Sequence, residues 1–150
     1  MTCIIATKDT MYSDSRVTWD EMGLEYPAVK IIRCKNGDLA GAAGHGGDCT
    51  RFLDWAYDGF KGQEPKWKST GHGDDVWGGL VLKKDGIYVA SRGDSLERVM
   101  LDFFAIGSGG KAARVAMMLG KTPEEAMELA YRVDPGCGGE IQILQLHADR

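Results

Sequence analysis

No two cysteines in this chain have C-x-x-C spacing, no apolar run is long enough to span a bilayer, and no basic run exceeds the pair Lys83-Lys84. Each absence removes a class of function. The cysteines are Cys3, Cys34, Cys49 and Cys137. Their scatter argues against a zinc site and against a disulfide framework, and a reducing cytoplasmic setting fits best. Without a basic patch, nucleic acid is not an expected partner. Without a long apolar run, neither is a membrane. No basic segment followed by an apolar one opens the chain, so no secretory signal is expected. Histidine is scarce, and His45, His72 and His147 lie far apart in sequence, which favours structural or exposed roles over metal binding. No metal and no cofactor are expected.

What remains is the composition of one globular domain. The chain has 150 residues, a net charge of -4, 43% hydrophobic and 27% charged residues. That length can bury most of its apolar surface in a single core. Glycine is abundant at 21 residues, and its placement says more than its number.

The pattern along the chain is dominated by hairpins. Residues 2–7 (TCIIAT) read as a buried strand that begins almost at once, where most chains fray. Residues 11–18 read as a second strand. Residues 29–34 and 39–43 flank the turn Lys35-Asn36-Gly37-Asp38, and Asn-Gly there is a strong hairpin signal. Phe52, Leu53, Trp55, Ala56 and Phe60 recur at helical spacing over residues 47–60, with Asp48 as the expected cap. Residues 61–75 are polar and read as a surface loop within the domain. Two strands, 76–82 and 86–91, flank Lys83-Lys84-Asp85-Gly86. A strand over 103–107 ends in Gly107-Ser108-Gly109-Gly110, followed by a helix over 111–119. Thr122-Pro123-Glu124-Glu125 is a capping box with proline at the first helical position, and opens a helix to Val133. Residues 141–146 alternate as a last strand. The helices are too few for a doubly wound parallel sheet, so the pattern suggests two antiparallel sheets covered by helices.

One chemical possibility stands out at the start of the chain. An N-terminal threonine carries its own base, because its α-amine lies beside its hydroxyl. Such an amine titrates near ~7.7–8.0, so about a tenth is neutral at pH 7. A nearby lysine ammonium raises the neutral fraction, and a carboxylate keeps that lysine charged and in place. Thr2, Lys30 and Asp14 supply these groups. Singly, each has an ordinary reading as a solvated or structural residue.

Their neighbours carry a resemblance. Met1 to Ala6, Asp14-Ser15-Arg16-Val17-Thr18 and Val29-Lys30-Ile31 resemble the opening of proteasome β-subunits. The stretch from Leu39 to Asp48 is similar to the segment leading into their first helix. Ala105-Ile106-Gly107-Ser108-Gly109-Gly110 resembles the glycine turn of the bacterial HslV peptidase. Asp134-Pro135-Gly136-Cys137-Gly138-Gly139 matches the family's D-x-x-S-G-G, with cysteine where serine is usual. The resemblance runs through nearly the whole chain in order.

It implies an α+β fold, the four-layer αββα sandwich of N-terminal nucleophile hydrolases, and a threonine-type endopeptidase. Thr2 would be the nucleophile once Met1 is removed, with its amine as general base. Asp14 would hold Lys30, Lys30 would tune the amine and hydroxyl, and the Gly41 N–H would bind the oxyanion. Ser108, Asp134 and Cys137 would surround the amine. Thr18 and Ala43 would flank an extended peptide through backbone hydrogen bonds, and Val17, Ala28, Ile32 and Leu39 would line an apolar specificity pocket. The subunit would act on peptides or unfolded proteins in a homo-oligomeric ring or double ring. Any ATP-dependent unfoldase would be a separate chain, because no nucleotide-binding motif is present. A phosphate-binding reading of the 41–47 glycines lacks the lysine and Ser/Thr of a P-loop. Two alternatives stay open: a non-catalytic ring or assembly protein that keeps Met1, and a non-proteolytic amidase of the same fold.

Overall fold

The computed structural model of the chain describes residues 1–19, 24–72, 76–91 and 96–146. His147 lies outside them. In chain order the elements are β1 (Ile4–Ala6), β2 (Thr10–Ser13), β3 (Arg16–Trp19), β4 (Leu24–Pro27), β5 (Ile31–Arg33), β6 (Leu39–Gly44), α1 (Gly46–Tyr57), β7 (Trp77–Lys83), β8 (Gly86–Ser91), β9 (Glu97–Val99), β10 (Phe104–Ile106), α2 (Gly110–Met118), α3 (Pro123–Val133) and β11 (Gln142–Gln145). Strands pair antiparallel throughout, in the orders β10-β1-β2-β11 and β5-β6-β7-β8-β9, with β3 and β4 as a separate ribbon.

Side-chain alternation turns these sheets into layers. On β1, Ile4 points between the sheets with Met11, Ile31, Leu39, Leu80 and Leu82. Its neighbour Ile5 points the other way, onto Ala113, Met117, Met127 and Ala130 of α2 and α3. On β6, Leu39 joins the inter-sheet core while Ala40 and Ala42 face Phe52 and Ala56 of α1. The result is helices, sheet, sheet, helix: a four-layer αββα sandwich. Strands buried on both faces read as continuous apolar runs, which is why residues 2–7 and 39–43 show no polar alternation. No helix among the described residues is long and apolar enough to cross a membrane.

Several elements differ from the sequence pattern for identifiable reasons. The strand expected over 11–18 breaks into β2 and β3. Asp14 turns its carboxylate to Lys30, and the Ser15 and Arg16 N–H groups both reach the Gly138 carbonyl at 3.0 Å. β4 (Leu24-Glu25-Tyr26-Pro27) and β9 (Glu97-Arg98-Val99) are too short to announce themselves, and β4 ends in a proline. Helix α1 is capped by His45, whose Nδ1 accepts the Asp48 N–H at 3.2 Å. The Asp48 carboxylate, expected as the cap, is fully buried instead. It accepts the Lys68 and Ser69 N–H groups and the Ser69 hydroxyl, and pairs with Arg51. Burial would raise the Asp48 carboxyl, but those hydrogen bonds, led by Ser69, hold it well below the usual carboxylate range. Asp48 thus pins the 61–72 segment onto the domain at Lys68 and Ser69, and Trp67 packs against Trp77 with ring centroids 4.3 Å apart and planes tilted by 42°. The capping box of α3 forms as expected, with Thr122 and Glu125 exchanging hydrogen bonds of 3.2 and 3.1 Å.

Candidate active site

Thr2 lies two residues before β1, held by the turn between β10 and α2. Its carbonyl accepts the Gly109 N–H at 3.1 Å, and its own N–H donates to Ser108 Oγ at 3.1 Å. Gly107 makes that turn possible. Its φ is 92°, and a Cβ there would lie 2.1 Å from the Thr2 carbonyl oxygen. The Gly-Ser-Gly-Gly run is therefore a backbone clamp on Thr2.

Lys30, just before β5, reaches across to the same point. Its ammonium lies 3.3 Å from Thr2 Oγ1, 3.0 Å from both Asp14 carboxylate oxygens, 2.7 Å from the Arg16 carbonyl and 2.8 Å from the Met1 carbonyl. The pair is shielded, with side-chain exposures of 8% for Lys30 and 0% for Asp14. Two backbone donors complete the carboxylate, Cys3 N–H at 3.0 Å and Gly138 N–H at 3.2 Å. A buried charge needs such compensation, and Asp14 has it on both oxygens.

The third group lies on the 134–139 loop. Cys137 is buried, with its thiol 3.4 Å from Asp134 Oδ2 and 3.9 Å from Ser108 Oγ. Burial first, then the Asp14 charge, pushes that thiol up to about 12. Cys3 is likewise raised to about 12, chiefly by burial. Asp134 moves the opposite way. Burial would raise its carboxyl, but hydrogen bonds from Ser108, the Gly136 N–H and Cys137 outweigh that and lower it. A depressed carboxyl contributes stability that is complete above its unfolded-state pKa and fades only as pH falls through the folded one, so this loop is intact at neutral pH. Cys137 thus stays a neutral donor, the role a serine hydroxyl would fill. Thiolate is the reactive form, and a thiol raised this far stays almost wholly protonated near neutral pH. Folded protein should keep Cys3 and Cys137 unmodified by iodoacetamide under conditions that fully alkylate the unfolded chain. Rapid alkylation of Cys137 in the folded state would contradict its role as a neutral donor.

Beside Thr2 lies a cleft of about 670 Å³ whose walls include Met1, Ala43, Gly44, Trp77 and Ser108. Of the residues expected to contact substrate, Ala43 lines it. Val17 and Thr18 on β3 and Ala28 after β4 are half-buried and lie outside its lining. Ile32 packs toward the α1 cluster. Leu39 has no exposed surface and belongs to the inter-sheet core, away from the lining of this cleft. Gly41, expected as the oxyanion donor, pairs with Leu80 in the middle of the β6–β7 ladder, and the alternation set by Ala42 and His45 turns its N–H toward β7.

Gly44 is better placed, for a reason of register. The His45 N–H donates to the Val76 carbonyl at 2.7 Å on the β7 side, and the Ala42 N–H to the Lys30 carbonyl at 3.4 Å on the β5 side. Donors alternate edges along an antiparallel strand, so the Gly44 N–H points to the Lys30 side. There the ladder has no further rung, since β5 starts at Ile31. Gly44 has φ of 111°, and a Cβ would lie 2.1 Å from the Val76 carbonyl oxygen, so only glycine fits. Among the described residues no group of three His, Cys, Asp or Glu side chains is arranged to hold a metal ion.

No protein-family model matches the chain, and no curated protein matches it in sequence. Solved structures do share its fold. A eukaryotic HslV from Trypanosoma brucei superposes with a TM-score of 0.68 at 20% identity, over 95% of this chain and 99% of that one. BPH from Thiobacillus denitrificans gives 0.65 at 16% identity over 99% of each chain. The same protein in complex with epoxomicin gives 0.65 at 16%, over 97% of this chain and 98% of that one. At these identities the likeness is one of fold.

Proposed function

We propose that this chain is a proteasome-like, threonine-type peptidase subunit, whose nucleophile is Thr2 once the Met1–Thr2 bond has been cut. The observation that carries the reading is the set of contacts around Lys30. One buried ammonium faces a carboxylate, two carbonyls and the Thr2 hydroxyl, but it has only three protons to donate. With Met1 present, the Thr2 hydroxyl is the most distant of these partners, at 3.3 Å. Loss of Met1 removes a competing acceptor and frees a proton of Lys30 for Thr2 Oγ1.

The chemistry follows from the atoms. The free α-amine takes the hydroxyl proton as Oγ1 attacks the peptide carbonyl carbon. The Gly44 N–H stabilises the resulting oxyanion, a contribution of about 3 kcal/mol. As the C–N bond breaks, the ammonium returns its proton to the leaving amine, and an ester on Thr2 remains. Water, deprotonated by the same amine, then attacks the ester and restores Thr2. With Met1 in place the nitrogen is an amide and has no lone pair for this work. Ser108, Asp134 and Cys137 position the amine. Apolar peptides or unfolded segments are the substrates, and a closed homo-oligomeric ring is the working form, as symmetric assemblies are the rule.

The test compares two forms of the protein on an internally quenched peptide: one with Thr2 as N-terminus, the other with a bulky residue inserted after Met1 so that Met1 is kept. The first should turn over and the second should not. Light scattering on the first should give a multi-subunit particle rather than the 16.3 kDa monomer. Equal activity of the two forms would rule out the amine as base, and a stable active monomer would favour the amidase alternative.

A further inference from the structure

Gly44, Gly78 and Gly107 all line the cleft beside Thr2, and two of them are there for the backbone. Gly44 and Gly107 have positive φ, and a Cβ at either would lie 2.1 Å from a carbonyl oxygen. Gly78 is different. It sits inside β7 without a positive φ, and a Cβ there would meet nothing closer than the Ala90 carbonyl oxygen at 4.0 Å. Glycine weakens a strand interior through lost entropy and missing packing, and such a position often marks the close approach of a ligand. The fold alone does not require glycine at 78.

Strand alternation fixes where the missing side chain would point. Leu80 and Leu82 belong to the core between the sheets, whereas Val81 packs with Phe52, and a Cβ at Gly79 would run into the Phe52 ring. Gly78 therefore faces the inter-sheet layer, at its open end. Ala43 lies opposite it on β6, and Ile106 closes the layer from β10 of the other sheet. The gap above Gly78 is one side chain missing from an otherwise apolar layer.

The chemistry gives this gap to one side of the scissile bond. The substrate carbonyl oxygen goes to the Gly44 N–H on the β5 side of β6, whereas Gly78 lies on the opposite, β7 side. In acylation the departing amine receives its proton from the Thr2 nitrogen, so it must come within hydrogen-bonding distance of that nitrogen. The Thr2 nitrogen is directed to Ser108 Oγ at 3.1 Å, and Ser108 is itself a wall of the cleft. The residue that carries the departing amine is thus led into the cleft. We infer that Gly78 is a specificity-determining residue of the proposed peptidase. Its missing side chain leaves room, between Ala43, Ile106 and Trp77, for a large apolar residue on the leaving side of the scissile bond. The inference rests on the threonine-peptidase reading.

Two series of quenched peptides test it, one varied in the residue after the scissile bond and one in the residue before it. Each series carries glycine, alanine or phenylalanine at the varied position. They are assayed with protein released from a cleavable fusion so that Thr2 is the N-terminus. In the first series, Gly78→Val should lower kcat/KM for the phenylalanine peptide by about tenfold or more relative to the glycine peptide, the discrimination a crowded apolar pocket commonly gives. Gly78→Ala should shift the same ratio in the same direction by less, which keeps the test open if the valine variant folds poorly. An equal loss on all peptides would mean that Gly78 serves only the sheet. An unchanged ratio, or a loss that follows the residue before the scissile bond, would mean that the leaving residue lies elsewhere. Each of these results overturns the inference while leaving the peptidase reading intact. Wild-type protein that cleaves none of the peptides overturns both.

Discussion

Thr2→Ala should abolish peptide hydrolysis and leave the fold in place. Among the described residues, the only hydrogen bond of the Thr2 side chain is the one from Lys30 at 3.3 Å. The residue itself is held through its backbone by Gly109 and Ser108. Removing the hydroxyl therefore removes the nucleophile without loosening the clamp. Turnover should fall on the order of 10⁴-fold or more, the range seen when a catalytic nucleophile is deleted. Thermal unfolding should change little. Thr2→Ser keeps an attacking oxygen and should retain measurable turnover. Full activity in Thr2→Ala would exclude Thr2 as the nucleophile.

Lys30→Ala should cost nearly as much activity but for a different reason, and it should also cost stability. In the proposed mechanism Lys30 and Thr2 act as one unit, so their losses should not add, and the double variant should be no worse than either single one. The stability effect separates them. Asp14 has no exposed surface, and without Lys30 its carboxylate keeps, among the described residues, only the Cys3 and Gly138 N–H donors. Breaking a buried pair by removing one partner costs about 3–5 kcal/mol, and the surviving backbone donors place this case toward the lower end. Denaturant midpoints should thus drop for Lys30→Ala and hold for Thr2→Ala. A folded Lys30→Ala protein with turnover close to wild type would contradict the mechanism.

The layered fold was legible because its signals are local. The Thr122 capping box, the Asn36-Gly37 turn and the doubly apolar strands each act within a few residues. The site was legible in part, through Thr2, Asp14, Lys30 and Ser108, which the fold does bring together. What was not legible depends on distant pairing. Gly41-Ala42-Ala43-Gly44 is a run of small residues in which sequence does not say which N–H leaves the ladder; the contact of His45 with Val76 decides for Gly44. Leu39 looks like a pocket residue until strand alternation puts it in the inter-sheet core beside Leu80 and Leu82. Asp48 has the chemistry of a cap, and only the return of residues 68–69 explains why it serves the loop instead.

The central claim is that a free Thr2 amine and hydroxyl together form the working group, and covalent capture tests it most directly. A peptide epoxyketone needs both atoms to form its adduct. Intact mass spectrometry of purified protein before and after treatment should show loss of one methionine, then gain of one inhibitor per chain, with the modified residue mapped to Thr2. Thr2→Ala should take up none. Protein that retains Met1 quantitatively and gains no inhibitor mass would contradict the account and favour the non-catalytic alternative.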